Sequence, residues 1–121
     1  MKSYTDLEQS KKLVEFLPVE SADMCYRAHR EECGILDFLI TLCPHQFAGE
    51  YSVPCWSLTA LLNIISNRIY SIDEDANLIL SSYKNIKWDL SINNLDIEVT
   101  KLDPIDACME MIYKLKEMNL L

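Results

Sequence analysis

The stretch Ile86–Val99, IKWDLSINNLDIEV, decides the fold. Two runs of alternating apolar and polar residues flank the pair Asn93-Asn94. Strict alternation of this kind is typical of strands with one buried face and one solvated face. Because asparagine tolerates the positive φ of a two-residue type I′ turn, the sequence predicts a β-hairpin with these asparagines at its tip.

A two-residue turn also fixes the pairing of the two strands. The residues that it places opposite each other are all apolar and share one face of the hairpin. The predicted pairs are Ile92 with Leu95, Leu90 with Ile97, and Trp88 with Val99. We expect this hairpin to be the platform on which the other elements pack.

A further strand, Asn77–Tyr83, is predicted just before the hairpin, which gives a three-stranded meander. A two-residue loop of Lys84-Asn85 would place Ser81 opposite Trp88. A three-residue loop with Asn85 in the left-handed conformation instead aligns Leu80 with Trp88 and Leu78 with Leu90. The longer loop is favoured because it keeps the apolar residues on one face.

Three helices are predicted from capping residues and apolar periodicity. Thr5 and Glu8 form a capping box for a helix from Asp6 to Phe16, which ends before Pro18. Ser57 is the predicted N-cap of a second helix that ends at Ser66-Asn67. Asp103 and Pro104 are the predicted N-cap and first residue of the third helix. Its inward stripe is Ile105, Cys108, Met111, Ile112, Leu115 and Met118.

The fold class follows from the order of these elements. Met24–His29 is a further predicted strand, and Ile35–Cys43 reads as a strand or as an all-round apolar helix, with its length favouring the strand. The sequence predicts one α+β domain over residues 1–121, in which three helices cover one face of a small antiparallel sheet of about four or five strands. The predicted core is Leu13, Phe38, Leu58, Leu62, Trp88, Leu90, Ile97, Ile112 and Leu115.

Composition and charge limit the kinds of partner and the cellular location that the sequence predicts. Of the 121 residues, 50% are apolar and 25% charged, which is typical of a globular chain. The net charge of −8, with no basic cluster, predicts that neither nucleic acid nor an anionic membrane is a partner. The apolar runs Gly34–Leu42 and Leu58–Ile65 fall far short of the roughly 20 residues of a membrane span. An odd number of cysteines, five, and a polar N-terminus predict reduced thiols and a cytoplasmic location.

Three stretches carry a resemblance to known sequences. They are SKKLVEFLPVESADM (Ser10–Met24), VPCWSLTALL (Val53–Leu62) and DPIDACMEMIYKLKEMNLL (Asp103–Leu121). With these stretches the chain resembles a group of small uncharacterised proteins encoded by gut Bacteroides-type bacteria and their mobile elements, including prophages. The resemblance implies no activity and no catalytic residue, since the matching features are helix caps, a tryptophan and apolar stripes.

Residues with metal-binding or catalytic chemistry are present without the usual spacing. The thiols and imidazoles that could converge on zinc include no C-x2-C pair, so no metal is predicted. No nucleophile elbow or oxyanion loop surrounds a cysteine or Ser57, and two isolated glycines build no phosphate cradle. We therefore predict no catalytic residue and no cofactor. The residues considered as metal ligands are Cys25, His29, Cys33, Cys43, His45 and Cys55.

The outer face of the hairpin is predicted to carry an acidic strip, which we define as Asp89, Asp96 and Glu98. In the predicted register Asp89 lies opposite Glu98, and like charges across a ladder are destabilising unless a cation or a basic partner compensates. The alternative is a solvated face. Tyr51 and Tyr70, in predicted connections, are the aromatic candidates for a partner contact.

These observations favour a non-enzymatic protein-interaction or regulatory module of mobile-element origin. It would bind another protein, or a second copy of itself, through an exposed sheet face or edge. The alternative is a small-molecule-binding domain or an unrecognised enzyme, which predicts a partly polar pocket between helices and sheet near Trp56 or Tyr83.

Overall fold

The computed structural model of the chain describes residues 2–30, 36–41, 52–84 and 86–121, with the backbone alone for 27–30 and 36–41. A short 3-10 turn at Val19–Ser21 follows the first helix. The α+β class is confirmed. In chain order the helices and strands are α1 (Leu7–Leu13), β1 (Met24–Arg30), β2 (Leu36–Thr41), β3 (Val53–Cys55), α2 (Leu58–Ile72), β4 (Leu78–Tyr83), β5 (Lys87–Ile92), β6 (Ile97–Lys101) and α3 (Pro104–Glu117).

The predicted single sheet of four or five strands is not confirmed among the described residues. The described strands make two antiparallel three-stranded sheets, ordered β2-β1-β3 and β4-β5-β6. The chain divides into two compact units, Tyr4–Ala60 and Met1–Ser3 with Leu61–Leu121, and each sheet lies within one of them. The prediction that the whole chain is one domain stays a prediction.

In the unit Tyr4–Ala60, β1 is the central strand and pairs with β2 and β3. The strand prediction for Ile35–Cys43 is confirmed over Leu36–Thr41, so the helical alternative is wrong there. Strand β3 was not predicted, because a three-residue strand containing Pro54 has no alternation to reveal it. The sequence also predicts loops at Arg30–Gly34 and His45–Ser52, and both lie almost entirely outside the described residues.

The capping box of α1 is shifted by one residue from the prediction. Asp6, not Thr5, is the N-cap: its carboxylate accepts from the Gln9 amide, and the Gln9 side chain accepts from the Asp6 amide. Thr5 is fully buried, and its hydroxyl accepts instead from the Trp56 amide at 3.1 Å. The helix ends at Leu13 rather than Phe16. Thr5 is therefore unavailable as a cap because a residue 51 positions away uses its oxygen.

The start of α2 is as predicted, and its end is not. The Ser57 hydroxyl accepts from the Ala60 amide at 3.2 Å, which confirms the cap. The helix runs through Ser66-Asn67 to Ile72. Leu61, Ile65 and Ile69 are all buried at four-residue spacing, so the apolar stripe carries the helix past two polar residues that were expected to end it.

The hairpin predicted from Ile86–Val99 forms, but with a longer turn. Ile92 pairs with Ile97, so four residues, Asn93 to Asp96, connect the strands. Asn94 and Asp96 have positive φ values of 68° and 52°. The predicted two-residue Asn93-Asn94 turn is therefore wrong. The observed register differs by two positions from all three predicted pairs, which were Ile92 with Leu95, Leu90 with Ile97, and Trp88 with Val99.

The hairpin between β4 and β5 differs from the prediction in the same way. Three residues connect the strands, as predicted, but Leu80 pairs with Leu90 and Ser82 with Trp88. Lys84 has a positive φ of 54°, while Asn85 lies outside the described residues. A shift of two positions leaves the same side chains on the same face, so the predicted apolar face survives both register errors.

Helix α3 packs against β5 and β6. Asp103 caps it, with its carboxylate accepting from the Ile105 amide at 2.9 Å, and Pro104 is its first residue, both as predicted. The Lys2 amide and ammonium donate to Asp103 and Asp106, which fastens the N-terminal residues to this helix start. The predicted inward stripe is fully buried except for Met118, which is 49% exposed beyond the helix end.

The predicted core is confirmed for five residues and corrected for three. Leu58, Leu62 and Trp88 are only half-buried, and the side chain of Phe38 lies outside the description. Trp88 is flanked by Ser82 and Lys101 in the observed register instead of Leu80 and Val99, which explains its partial exposure. The confirmed residues are Leu13, Leu90, Ile97, Ile112 and Leu115.

Candidate protein-interaction surface

The β4–β5–β6 sheet has one covered face and one open face. Its inner-face residues Leu90, Ile92, Ile97 and Val99 are buried, and α3 packs on the two strands that carry them. Strand β4 forms one edge of this sheet and β6 the other. Its outer face and its two edges are therefore the places where this unit offers backbone and side chains to a partner.

The outer face is ordered in rows by the cross-strand pairing. One row is Ser81, Asp89 and Thr100, and the next is Ile79, Ser91 and Glu98. A third row begins with Tyr83 and Lys87. In each row the first residue lies on β4, the second on β5 and the third on β6. The apolar residues of this face therefore lie on β4 and the acidic residues on β5 and β6.

The observed register changes the acidic strip. Asp89 lies opposite Thr100 rather than Glu98, and the Thr100 hydroxyl donates to its carboxylate at 3.0 Å. Glu98 lies opposite Ser91, diagonal to Asp89, and Asp96 is an exposed residue of the turn. The prediction that two carboxylates face each other is wrong. The electrostatic repulsion that gave a reason to expect a basic partner at this strip is therefore absent from the observed register.

The two aromatic candidates have different outcomes. Tyr70, on α2, is 65% exposed, as expected for a contact residue, although it lies on a helix rather than in a connection. Tyr51 lies outside the described residues. Exposure at Tyr70 is that of one isolated aromatic ring, which is common on protein surfaces.

A more extended feature lies on β4 and was not singled out from the sequence. We define the β4 surface as the three outward side chains Ile79, Ser81 and Tyr83. Ile79 is 48% and Tyr83 65% exposed, and Ser81 is exposed between them. From Ala76 to Tyr83 the chain has no charged residue. The signal in the sequence was this uncharged run within a chain of net charge −8.

The backbone of β4 adds directional hydrogen-bonding groups to this surface. An edge strand turns every second N–H and C=O away from its single neighbour. For residues 78–83 the described structure shows backbone hydrogen bonds to β5, and beyond these a turn bond from Ile86 to the Tyr83 carbonyl at 3.0 Å. Within the described part of the chain no hydrogen bond to the outward groups of β4 is seen, so another strand can pair with them.

The unit Tyr4–Ala60 contains a buried polar cluster, Thr5, Ser10 and Trp56. The Ser10 hydroxyl donates to the Asp6 carbonyl at 2.7 Å, so the Thr5 hydroxyl donates to Ser10 Oγ at 2.8 Å. The Thr5 oxygen accepts from the Trp56 amide, and the Trp56 indole donates to Ser21 at 3.0 Å. Every hydroxyl in this cluster has a hydrogen-bond partner within the protein. These bonds stabilise the fold of the unit, as buried polar groups usually do.

The described cysteines, Cys25, Cys55 and Cys108, are all buried. Burial, with a smaller contribution from the negative charge of Asp103, raises the pKa of the Cys108 thiol to about 12. A thiol held neutral in this way is a poor nucleophile and a poor metal ligand. Among the described residues no three potential ligands come together on a metal, while Cys33, Cys43 and His45 fall outside them.

Within the described ranges, no helix has both the length and the apolar character needed to span a bilayer. Neither a protein-family model, nor a curated protein, nor a solved structure matches the chain.

Proposed function

We propose that this chain is a non-enzymatic protein-interaction module that binds a protein through the β4 edge and the β4 surface. The observation that carries the proposal is the uncharged, exposed edge strand, with Ile79 and Tyr83 facing outward. A strand added by a partner would satisfy the outward backbone groups, and its side chains would cover these two residues.

The proposed location and origin of the protein rest on features of the sequence. A cytoplasmic location is favoured by the odd number of cysteines, five, which predicts reduced thiols. Origin from a mobile element of a gut Bacteroides-type bacterium rests on the three sequence stretches that carry the resemblance. The alternative of a pocket near Trp56 or Tyr83 gains no support, because Trp56 is completely buried and Tyr83 is a surface residue.

Capture experiments with a matched pair of variants test the proposal. Ser81 on β4 and Thr100 on β6 are both exposed and both lie opposite Asp89. The variants Ser81→Lys and Thr100→Lys therefore add the same charge beside the same carboxylate, on opposite edges of one sheet. We expect the tagged chain, expressed in its host, to lose its captured proteins with Ser81→Lys and to keep them with Thr100→Lys. Equal capture by both variants would refute binding at β4.

A further inference from the structure

We infer that the partner of the β4 edge is a second copy of this chain, with the two β4 strands antiparallel and Ser81 facing Ser81 across a two-fold axis. This inference rests on the proposed function and identifies the partner. It joins two three-stranded sheets into one continuous six-stranded sheet, which removes both open β4 edges at once.

Charge is the first argument for a second copy. Two chains of net charge −8 repel each other, so copies associate only where the meeting surfaces carry little charge. The segment 76–83 carries no charged side chain, and β4 lies within it, so the β4 edge is such a surface. The other edge, β6, carries Glu98 and Lys101, and an isologous pairing centred on either residue would place like charges directly opposite each other.

The alternation of the strand gives the register. A two-fold axis perpendicular to the sheet keeps the outer faces of both copies on one side, so residues that oppose each other must belong to the same face. With Ser81 on the axis, Ile79 of each copy lies opposite Tyr83 of the other. This pairs the two most exposed apolar side chains of β4 as β-branched against aromatic, a favourable cross-strand combination.

The neighbouring register is less favourable. An axis through Leu80 would place Ile79 opposite Ser81 and leave Tyr83 without a partner strand residue. Both registers align five residues of each strand, but only the Ser81-centred arrangement, over 79–83, pairs the two exposed apolar residues with each other. Because the contact involves one short strand from each copy, it belongs with the small, weak interfaces, and we expect association at about micromolar concentrations.

Cysteine cross-linking tests both the partner and the register. In an antiparallel pair, directly opposed residues have Cα atoms about 4.5–5.5 Å apart, which suits a disulfide. We expect Ser81→Cys, oxidised at about 50 micromolar with glutathione disulfide, to form covalent dimers at least about tenfold faster than Ser66→Cys, because the opposed thiols have a millimolar effective concentration. Ser66 is an exposed serine on α2, and the unsubstituted chain measures the background from its own five cysteines.

The outcomes separate this inference from the proposed function. Fast cross-linking of Ser81→Cys alone supports the two-fold pairing. Equal rates for Ser81→Cys, Ser66→Cys and the unsubstituted chain overturn it. If the rates are equal while capture of a different protein still depends on Ser81, the partner is not a second copy and the interaction module stands. If capture is also insensitive to Ser81→Lys, both proposals are overturned.

Discussion

The two edges of the β4–β5–β6 sheet differ in how their exposed backbone is protected. On β6, Glu98 and Lys101 supply charge, the Lys114 ammonium donates to the Glu98 carbonyl at 3.4 Å, and Thr100 is tied to Asp89. On β4 there is no charged side chain between its first and last residue, and Ile79 and Tyr83 are exposed. Charges on an edge strand discourage the pairing of another strand. One edge of this sheet is thus protected, and the other is left suitable for binding.

The largest expected effect comes from truncating a buried side chain of β5, the strand that supports both edges. Leu90 is fully buried in β5, between Leu80 on β4 and Val99 on β6. We expect Leu90→Ala to lower the free energy of unfolding by about 2–5 kcal/mol, because the cavity cannot close completely. Urea denaturation followed by circular dichroism measures this loss.

The matched control is the same substitution at an exposed leucine. Leu102 is 75% exposed just after β6, so Leu102→Ala should change the free energy of unfolding by no more than about 0.5 kcal/mol. Equal losses for the two variants would contradict the assignment of Leu90 as the common support of both edges.

A smaller effect is expected from the side-chain bond that distinguishes the edges. The Thr100 hydroxyl donates to Asp89 from β6, whereas the described structure shows no hydrogen bond from Ser81 to Asp89 on the β4 side. We expect Thr100→Val, which keeps the shape and removes the donor, to cost about 1 kcal/mol or less, since the bond is exposed to water.

Ser81→Ala provides the comparison for that measurement. With no hydrogen bond to lose, it should leave the urea midpoint within error of the unsubstituted chain. A loss at Ser81→Ala as large as that at Thr100→Val would show that the two sides of Asp89 are equivalent, contrary to the difference described above.

The sequence predicted the elements of this unit better than their pairing. Alternation and capping are local, so the strands β4, β5 and β6 and the start of α3 could be placed from residues close in the chain. The register could not, because a shift of two positions leaves every side chain on its face. The turn is held instead by Asn93, which accepts from the Asn77 amide at 2.5 Å, and by Asn94, which donates to the Asp75 carbonyl at 3.2 Å. These contacts are about 16 to 19 residues apart in sequence.

Features distant in the sequence also explain the other differences from the predictions. Thr5 and Asp6 are both good N-cap residues, and only the distant Trp56 amide decides between them. The acidic strip was predicted from a register in which Asp89 faces Glu98, whereas Asp89 faces Thr100 in the structure. The β4 surface was missed because a strand pattern does not reveal which strand is an edge, which depends on the order of strands in the sheet.

The most direct test of the central claim is the self-association of the Ser81→Lys and Thr100→Lys variants, measured by sedimentation equilibrium from about 1 to 500 micromolar. We predict a monomer–dimer equilibrium for the 14.0 kDa chain and for Thr100→Lys. Two lysines would face each other across the two-fold axis in Ser81→Lys, which should weaken its dimer about tenfold or more. Identical association of all three proteins, or a strict monomer throughout, would contradict the account.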